Sequence, residues 1–379
     1  MTPARALRPA LAAALLTLCC AAAQAELPWG WNPEAYGSAY TLGRGEISFS
    51  GQLHRVNDTL DVLNVRDDLL AANRRLTDDT GDLAGTSFAV SAGVTDWLTV
   101  FYQQTDQELT IKIADDDRID LDRKDEKLDT RRQEWGLRWN LYESGQFGRE
   151  RPWTAFSLEV SGQQSQSDPY GADLVGIRVS DNFYLRLNPQ SRFAVDRMED
   201  SGWRTRLLLT RGLTDSSAIS LWGGYGEFDS QSGTSSETPS RLLRPSFEQE
   251  FTASETHWMA GGALHWQITP RIPLHLAYEY TAIRDRTLTA FREEALFTLP
   301  SILRPDNLLE SADNNHVIRG TLSWWLTPQL RAGVTGHLYA NQFTGVMPHF
   351  NNPLSSSLSE TVYGYAGIEI AAFFGLSGF

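Results

Sequence analysis

The chain repeats one pattern along most of its length: a stretch of roughly ten residues in which apolar and polar side chains alternate, followed by a turn. In one such stretch, Trp135, Leu137, Trp139 and Leu141 alternate with Glu134, Gly136, Arg138 and Asn140. Because successive side chains of a strand point to opposite faces, this spacing predicts β-strands with one apolar and one polar face.

Twelve strands are predicted on this basis, an even number that returns both chain ends to the same side of a barrel. They span 45–55, 85–94, 97–113, 131–142, 153–165, 202–212, 217–230, 256–268, 272–285, 315–326, 329–342 and 360–374.

The connections between these strands alternate in length. Short ones lie at 95–96, 213–216, 269–271 and 327–328, with a longer one at 143–152; long polar ones lie at 56–84, 114–130, 166–201, 231–255, 286–314 and 343–359. Short periplasmic turns and long external loops are typical of membrane barrels. The chain is therefore predicted to be all-β, a transmembrane antiparallel up-and-down β-barrel spanning 45–379.

Aromatic side chains gather near the short turns: Trp97, Trp139, Tyr142, Trp153, Trp266, Trp324 and Trp325. Amphipathic rings favour the level of the lipid headgroups. These seven residues are predicted to form an aromatic girdle.

Export is predicted by the first 25 residues. Arg5 and Arg8 precede an apolar run, and Ala23-Gln24-Ala25 forms a small-residue cleavage site, as in a cleaved secretory signal peptide spanning 1–25. Both cysteines lie in this segment, and the alternative of a lipidated Cys19 is disfavoured by Leu18. The remaining chain has no thiol for a disulfide or a thiolate metal site.

Without that segment, 31 basic residues (33 less Arg5 and Arg8) remain against 47 acidic ones, a net charge of −16. This balance disfavours nucleic acid as a partner, since phosphates need basic side chains. No apolar run after Ala25 reaches the ~18–20 residues of a transmembrane helix, which leaves a soluble exported protein or a barrel. The alternation favours the barrel.

The signal peptide, loop alternation, strand pattern and terminal Phe379 together resemble the bacterial outer-membrane β-barrel (porin-like) superfamily, and no narrower family. The resemblance implies a location in the outer membrane of a Gram-negative bacterium, contact with lipid and lipopolysaccharide, and recognition of Phe379 by the barrel-assembly machinery. One feature departs from the family: the apolar series from Val362 to Leu376 is out of phase with Phe379.

Three segments have two interpretations each. Residues 173–188 form a hairpin that either extends an external loop, which their short arms favour, or adds two membrane strands for a total of fourteen. Residues 60–76 have helical spacing and either constrict the lumen or pack on the rim. Residues 26–44, a periplasmic N-terminal segment, either plug the lumen or lie at the membrane interface.

No hydrolase, metalloprotease or nucleotide-binding motif occurs in the sequence, so no enzyme activity and no cofactor are predicted. The acidic run 115–122 lacks the glycine and glutamate of a calcium loop and is interpreted as a solvated loop.

The strand phase predicts a charged lumen lined by Glu134, Arg138, Glu159, Arg204, Arg206, His257, His265, His275, Glu279, Arg319, Arg331, His337 and Glu369. His54 is also placed inward. Such charges either create a field across a channel or form pairs that stabilise a filled barrel. His265 and His275 are predicted to oppose each other across a hairpin as a weak metal candidate, although imidazole is also a convenient lumen filler.

The favoured function is a porin-like channel or transporter for small polar solutes. The alternatives are an outer-membrane hydrolase and a closed structural or assembly barrel.

Overall fold

A computed structural model describes residues 32, 34–56, 83–111, 119–122, 126–144, 153–180, 183–195, 199–236, 249–291, 314–340 and 362–375. Fifteen strands occur in these ranges: β1 (Glu46–Val56), β2 (Leu83–Thr95), β3 (Leu98–Ile111), β4 (Ile119–Asp122), β5 (Glu126–Ser144), β6 (Thr154–Ser167), β7 (Tyr170–Ser180), β8 (Phe183–Val195), β9 (Glu199–Thr214), β10 (Ser217–Ser236), β11 (Gln249–Thr269), β12 (Ile272–Phe291), β13 (Asn314–Thr327), β14 (Leu330–Ala340) and β15 (Val362–Gly375).

Twelve of the strands close into one antiparallel barrel, as the sequence predicts. Each is hydrogen-bonded to the next along the chain, with β4, β7 and β8 left out of the ring, and β15 pairs with β1 to complete it. A closed ring has no sheet edge, so the backbone N–H and C=O groups of its strands find partners within the barrel. Among the described residues, no helix is long and apolar enough to cross a membrane.

The hairpin formed by β7 and β8 stands on the long-loop side of the barrel. β8 pairs with the far end of β10, and β4 pairs with β7. This arrangement confirms the prediction that 173–188 extends a loop, and the fourteen-strand alternative is wrong. The same side shows the largest boundary differences: β10 and β12 both continue about six residues past their predicted ends, because they rise beyond the barrel toward the loops.

The outer face of the barrel is apolar. Its exposed side chains include Leu53, Phe88, Val100, Leu137, Leu207, Leu221, Leu276, Ile318, Val334, Ile368 and Ile370. Intervening residues face the interior and are mostly small or polar, which gives β6 its alternating burial. This division between the two faces is what the alternation in the sequence predicts.

The predicted aromatic girdle needs one correction. Trp97, Trp139, Tyr142, Trp266 and Trp324 are exposed on the outer face near the short turns, but Trp153 and Trp325 are buried inside the barrel. Trp153 lies against Tyr40, and Trp325 lies against Phe373. Strand phase is the reason: neighbours such as Trp324 and Trp325 cannot both face outward.

The apolar core lies inside the barrel at the short-turn end. It consists of Ala39, Tyr40, Trp153, Ala155, Leu208, Ala218, Trp222, Ala263 and Ala277, with Tyr36 packed against it. Two of these, Ala39 and Tyr40, precede β1. The N-terminal segment therefore supplies part of the core that fills this end of the barrel.

Several sequence predictions fall outside the described residues. These are the signal peptide 1–25, the helix at 60–76, most of the acidic run 115–122 and the terminal Phe379.

Candidate functional site

Residues 34–45, called the plug below, lie inside the barrel at its short-turn end. They contain no strand, and barrel side chains bond to their backbone. The Ala39 N–H donates to Thr210 Oγ1 at 2.8 Å, and the Leu42 N–H donates to Thr99 Oγ1 at the same distance. The Arg138 guanidinium donates to the Tyr40 carbonyl at 3.1 Å. These bonds satisfy buried backbone groups that would otherwise lack partners.

Gly37 allows the plug to pass close to the barrel wall. Its φ of +78° is in the left-handed region, and a Cβ at this position would lie 2.3 Å from the Trp222 ring. Any larger residue would strain the backbone and displace the indole.

Tyr36 connects the plug to the charged interior. Its hydroxyl donates to Glu279 Oε2 at 2.6 Å and accepts from an Arg206 N–H at 2.7 Å. The Arg319 guanidinium lies 3.7 Å from the centre of its ring. Burial raises the pKa of Tyr36 above its ordinary value, so the hydroxyl remains protonated and able to donate.

One group of ion pairs lies side by side on β5, β6 and β9. Glu159, almost fully buried, accepts from Arg138 at 2.9 Å and from Arg206 Nε at 3.1 Å. These three residues are direct neighbours in the strand register. Gly224 on the neighbouring strand β10 is the register partner of Arg206. A Cβ there would lie 2.8 Å from Arg206 Cγ, so the absent side chain provides room for the arginine.

A second group of ion pairs lies nearer the long loops. Arg204 donates to Glu134, and its Nε donates to Ser161 Oγ at 3.1 Å. Arg132 lies 3.4 Å from the other oxygen of Glu134 and donates to Gln163 at 3.0 Å. One carboxylate is therefore shared by two guanidinium groups.

The remaining predicted charges lie on β12 to β15. Glu279 accepts from the Trp222 indole N–H at 2.8 Å and lies 3.5 Å from Arg206, while Arg331 pairs with Glu369. Apart from Arg206 with Glu279, these pairs join residues on the same wall. Buried ions pair at short range wherever the register permits.

A cavity of about 300 Å³ remains beside the plug. The arginines of its lining are Arg132, Arg138, Arg204, Arg206, Arg319 and Arg331, and the glutamates are Glu34, Glu134, Glu159 and Glu369. The wall formed by β1, β2 and β3 contributes neutral polar side chains such as Ser50, Gln52 and Thr105. The charged residues of the barrel lie on either side of this neutral wall, on β5, β6 and β9 and on β13 to β15.

The five histidines predicted to face inward do so. His265 and His275 are register partners with ring centres 4.8 Å apart, as the hairpin predicts. His265 Nε2 is 2.8 Å from Ser220 Oγ, and His275 Nε2 is 3.0 Å from the Tyr36 carbonyl. No group of three or more His, Cys, Asp or Glu residues suited to a metal occurs among the described residues.

The other three histidines lie toward the long loops. The Tyr365 ring lies 4.6 Å from both His54 and His337, between β1 and β14. His257 lies 2.7 Å from Glu255 Oε1, and both are buried.

Comparison with known proteins identifies no family for this chain. No protein-family model matches the chain, and no curated protein is similar to it. Among solved structures, the translocator domain of the autotransporter NalP from Neisseria meningitidis has a TM-score of 0.45 and 9% identity, over 87% of this chain and 87% of that one. A FadL homologue from Pseudomonas aeruginosa has a TM-score of 0.43 and 10% identity, over 94% of this chain and 96% of that one.

The outer membrane protease OmpT from Escherichia coli is also similar, with a TM-score of 0.35 and 8% identity over 89% of this chain and 99% of that one. Scores this low carry no argument about function. The resemblance to outer-membrane barrels, and to no narrower family, rests on the closed ring of twelve strands.

The structure places all thirteen predicted lumen residues on the inward face of their strands. It brings ten of them to the cavity, whereas His257, His265 and Glu279 lie outside its lining. Sequence reasoning missed Arg132, although it shares the phase of Glu134 and could have been found. It also missed Tyr36, for which no periodic signal exists.

Proposed function

We propose that this chain is an outer-membrane channel or transporter for small polar solutes, closed at its short-turn end by the plug. One observation carries the proposal: a closed barrel encloses a charged cavity of about 300 Å³ while its outer face is apolar. Charged side chains inside such a ring must form ion pairs or contact water, and a polar solute that passes through the barrel contacts the same side chains.

The outer membrane is the environment that this surface fits. Large apolar side chains are exposed all round the ring, and exposed Trp97, Trp139 and Trp266 lie near the short turns. An apolar band edged by aromatic rings matches the hydrocarbon and headgroup levels of a bilayer. Contact with lipid and lipopolysaccharide follows from this placement, whereas assembly through Phe379 stays a prediction.

Gating follows from the way the plug is held. Its bonds are made largely to side chains such as Thr99, Thr210 and Arg138. The barrel strands are fully paired with each other without it. The plug can therefore leave the lumen without breaking the ring of strand hydrogen bonds.

Conductance across a planar bilayer tests the proposal. The chain from residue 26 onward should be mostly silent, and the same chain lacking 26–44 should conduct steadily. Deletion of 170–195, the β7–β8 hairpin, is the matched control and should leave the barrel silent, since that hairpin lies outside the ring. Silence in every variant, with each barrel shown to be folded, would refute the channel and favour a closed structural barrel.

A reversible tether provides a second test. The chain after residue 25 has no cysteine, so Ala39→Cys and Thr210→Cys introduce the only two thiols. The Ala39 N–H contacts the Thr210 side chain at 2.8 Å, which brings the two positions close. Oxidation should hold the barrel closed and a reductant should restore openings. Conductance that is the same in both states would contradict gating by the plug.

The hydrolase alternative has one observation in its favour. The buried Glu255–His257 pair, at 2.7 Å, is an acid–base arrangement of the kind that activates a nucleophile. The folded barrel incubated with phospholipid vesicles is expected to release no fatty acid. Release that is abolished by His257→Ala would favour the enzyme over the channel.

A further inference from the structure

The lining of the cavity carries more positive than negative side chains. Six arginines and four glutamates line it, a difference of two positive charges, and neither lysine nor aspartate occurs among the described lining residues. The whole chain, in contrast, has a formal net charge of −14. An arginine-rich cavity in an acidic protein indicates that this interior differs from the rest of the surface in the ions it attracts.

Part of this excess lies around Glu134. Arg204 and Arg132 both bond to this one carboxylate, so the three residues together carry one net positive charge. The Arg132 contact is the longer one, at 3.4 Å, and its side chain is about a quarter exposed, at 24%. A planar guanidinium with unshared N–H groups is suited to bind a carboxylate or phosphate through two parallel bonds.

The neighbouring strands β1 to β3 place no negative side chain beside Arg132 to balance its charge. Arg132 and Thr105 are register partners, followed in the same row by Ser87 on β2 and Gln52 on β1. Hydroxyl and amide groups at these positions can hydrogen-bond a polar solute without competing for the guanidinium groups.

The cavity has room for a small solute. At about 30 Å³ for each water in the liquid, 300 Å³ corresponds to about ten water molecules. A solute with about that number of non-hydrogen atoms fits.

We propose that this cavity binds a small solute that carries a carboxylate or phosphate group, held by Arg132 and Arg204 against the hydroxyl- and amide-bearing wall of β1 to β3. The inference names the solute class of the proposed channel and so rests on that function. It does not require the channel to be open.

Calorimetric titration of the folded chain with succinate tests the site, with succinamide as the uncharged isostere. Succinate should bind and succinamide should not. Arg132→Gln should weaken succinate binding at least about tenfold, because the charge-assisted bonds are lost. Arg131→Gln is the matched control: Arg131 is the next residue on β5, on the outer face, paired with Asp106, and its loss should leave the affinity unchanged.

A third variant separates binding from structural effects. Glu134→Gln removes the carboxylate that shares Arg132 and Arg204 with the ligand, so it should tighten succinate binding several-fold. Weaker binding in this variant, or equal binding of succinate and succinamide, would overturn the site. Titration with inorganic phosphate distinguishes the two oxyanions.

Conductance measurements distinguish the anion site from the channel activity. In a potassium chloride gradient, the chain lacking 26–44 should show a reversal potential that favours chloride. Cation-selective currents would refute the anion site and leave the channel intact. Succinate binding in a barrel that never conducts would preserve the site and refute the channel.

Discussion

Replacing Tyr36 by phenylalanine should release the plug while the barrel stays intact. The variant keeps the ring that Arg319 covers at 3.7 Å and removes only the hydroxyl. That hydroxyl donates to Glu279 at 2.6 Å and accepts from Arg206 at 2.7 Å. Hydrogen bonds that involve a charged group contribute about 1.5–3 kcal/mol each, so the two together contribute about 3–6 kcal/mol.

The lower end of this range applies, because both partners keep other bonds. Glu279 still accepts from the Trp222 indole, and Arg206 still donates to Glu159. The plugged state should therefore lose about 3 kcal/mol relative to the released state. At about 1.4 kcal/mol for each factor of ten, the ratio of open to closed barrels should rise about a hundredfold.

Single-channel recording in planar bilayers measures this ratio directly as the open probability. Tyr278→Phe is the matched control, since its hydroxyl bonds to His316 at 2.8 Å on the outer face, away from the plug. An open probability that is equal in the parent and in both variants would refute the view that Tyr36 holds the plug. A loss of folded barrel in Tyr36→Phe would show instead that the plug stabilises the ring.

Three further predictions concern the barrel wall. Glu159→Gln leaves Arg138 and Arg206 buried without their shared carboxylate and should lower the free energy of unfolding by about 3–5 kcal/mol. Urea titration in lipid vesicles measures this change, with the exposed Glu227→Gln as the control. An unchanged urea midpoint in Glu159→Gln would contradict the pairing. Ile368 lies on the outer face midway along β15, and Ile368→Arg should destabilise the barrel folded in lipid by about 2–4 kcal/mol. Gln103→Arg, at a position that faces the cavity, should not destabilise it. Equal effects of the two variants would contradict the membrane orientation. Zinc titration should show no saturable micromolar site at His265 and His275, because each Nε2 already has a hydrogen-bond partner and zinc needs further ligands. Zinc binding that His265→Ala abolishes would contradict this expectation.

The faces of the strands could be predicted because a closed barrel has two environments and a side-chain period of two. Once β5 is placed by Trp135, Leu137 and Trp139, Glu134 and Arg138 must face inward. The opposition of His265 and His275 followed from the same rule and a short turn. Trp153 and Trp325 show where a cruder rule failed: proximity to a turn placed them in the girdle, but phase placed them inside.

The ion pairs could not be predicted, because their partners depend on the stagger between strands. Arg204 reaches past its register partner Ser161 on β6 to Glu134 on β5, although the β5 residue in register with Ser161 is Gly136. No sequence separation encodes that contact. The position of Tyr36 inside the barrel could not be predicted for a different reason. Residues 34–45 have no repeating pattern, and their position is set only by the barrel around them.

The plug and the charged wall form one network, and this limits how firmly the plug can be held. When seated, Tyr36 bonds to Glu279 and Arg206, which also takes part in the Glu159 pairing. Seating removes water from these charged groups, and the cost of that desolvation offsets much of the gain from the new hydrogen bonds. A wall of neutral apolar residues would bind the same segment by burial alone, without that opposing term. At Tyr36 the charged wall therefore fixes the position of the plug while adding only modestly to its stability, which is the balance that a reversible closure requires.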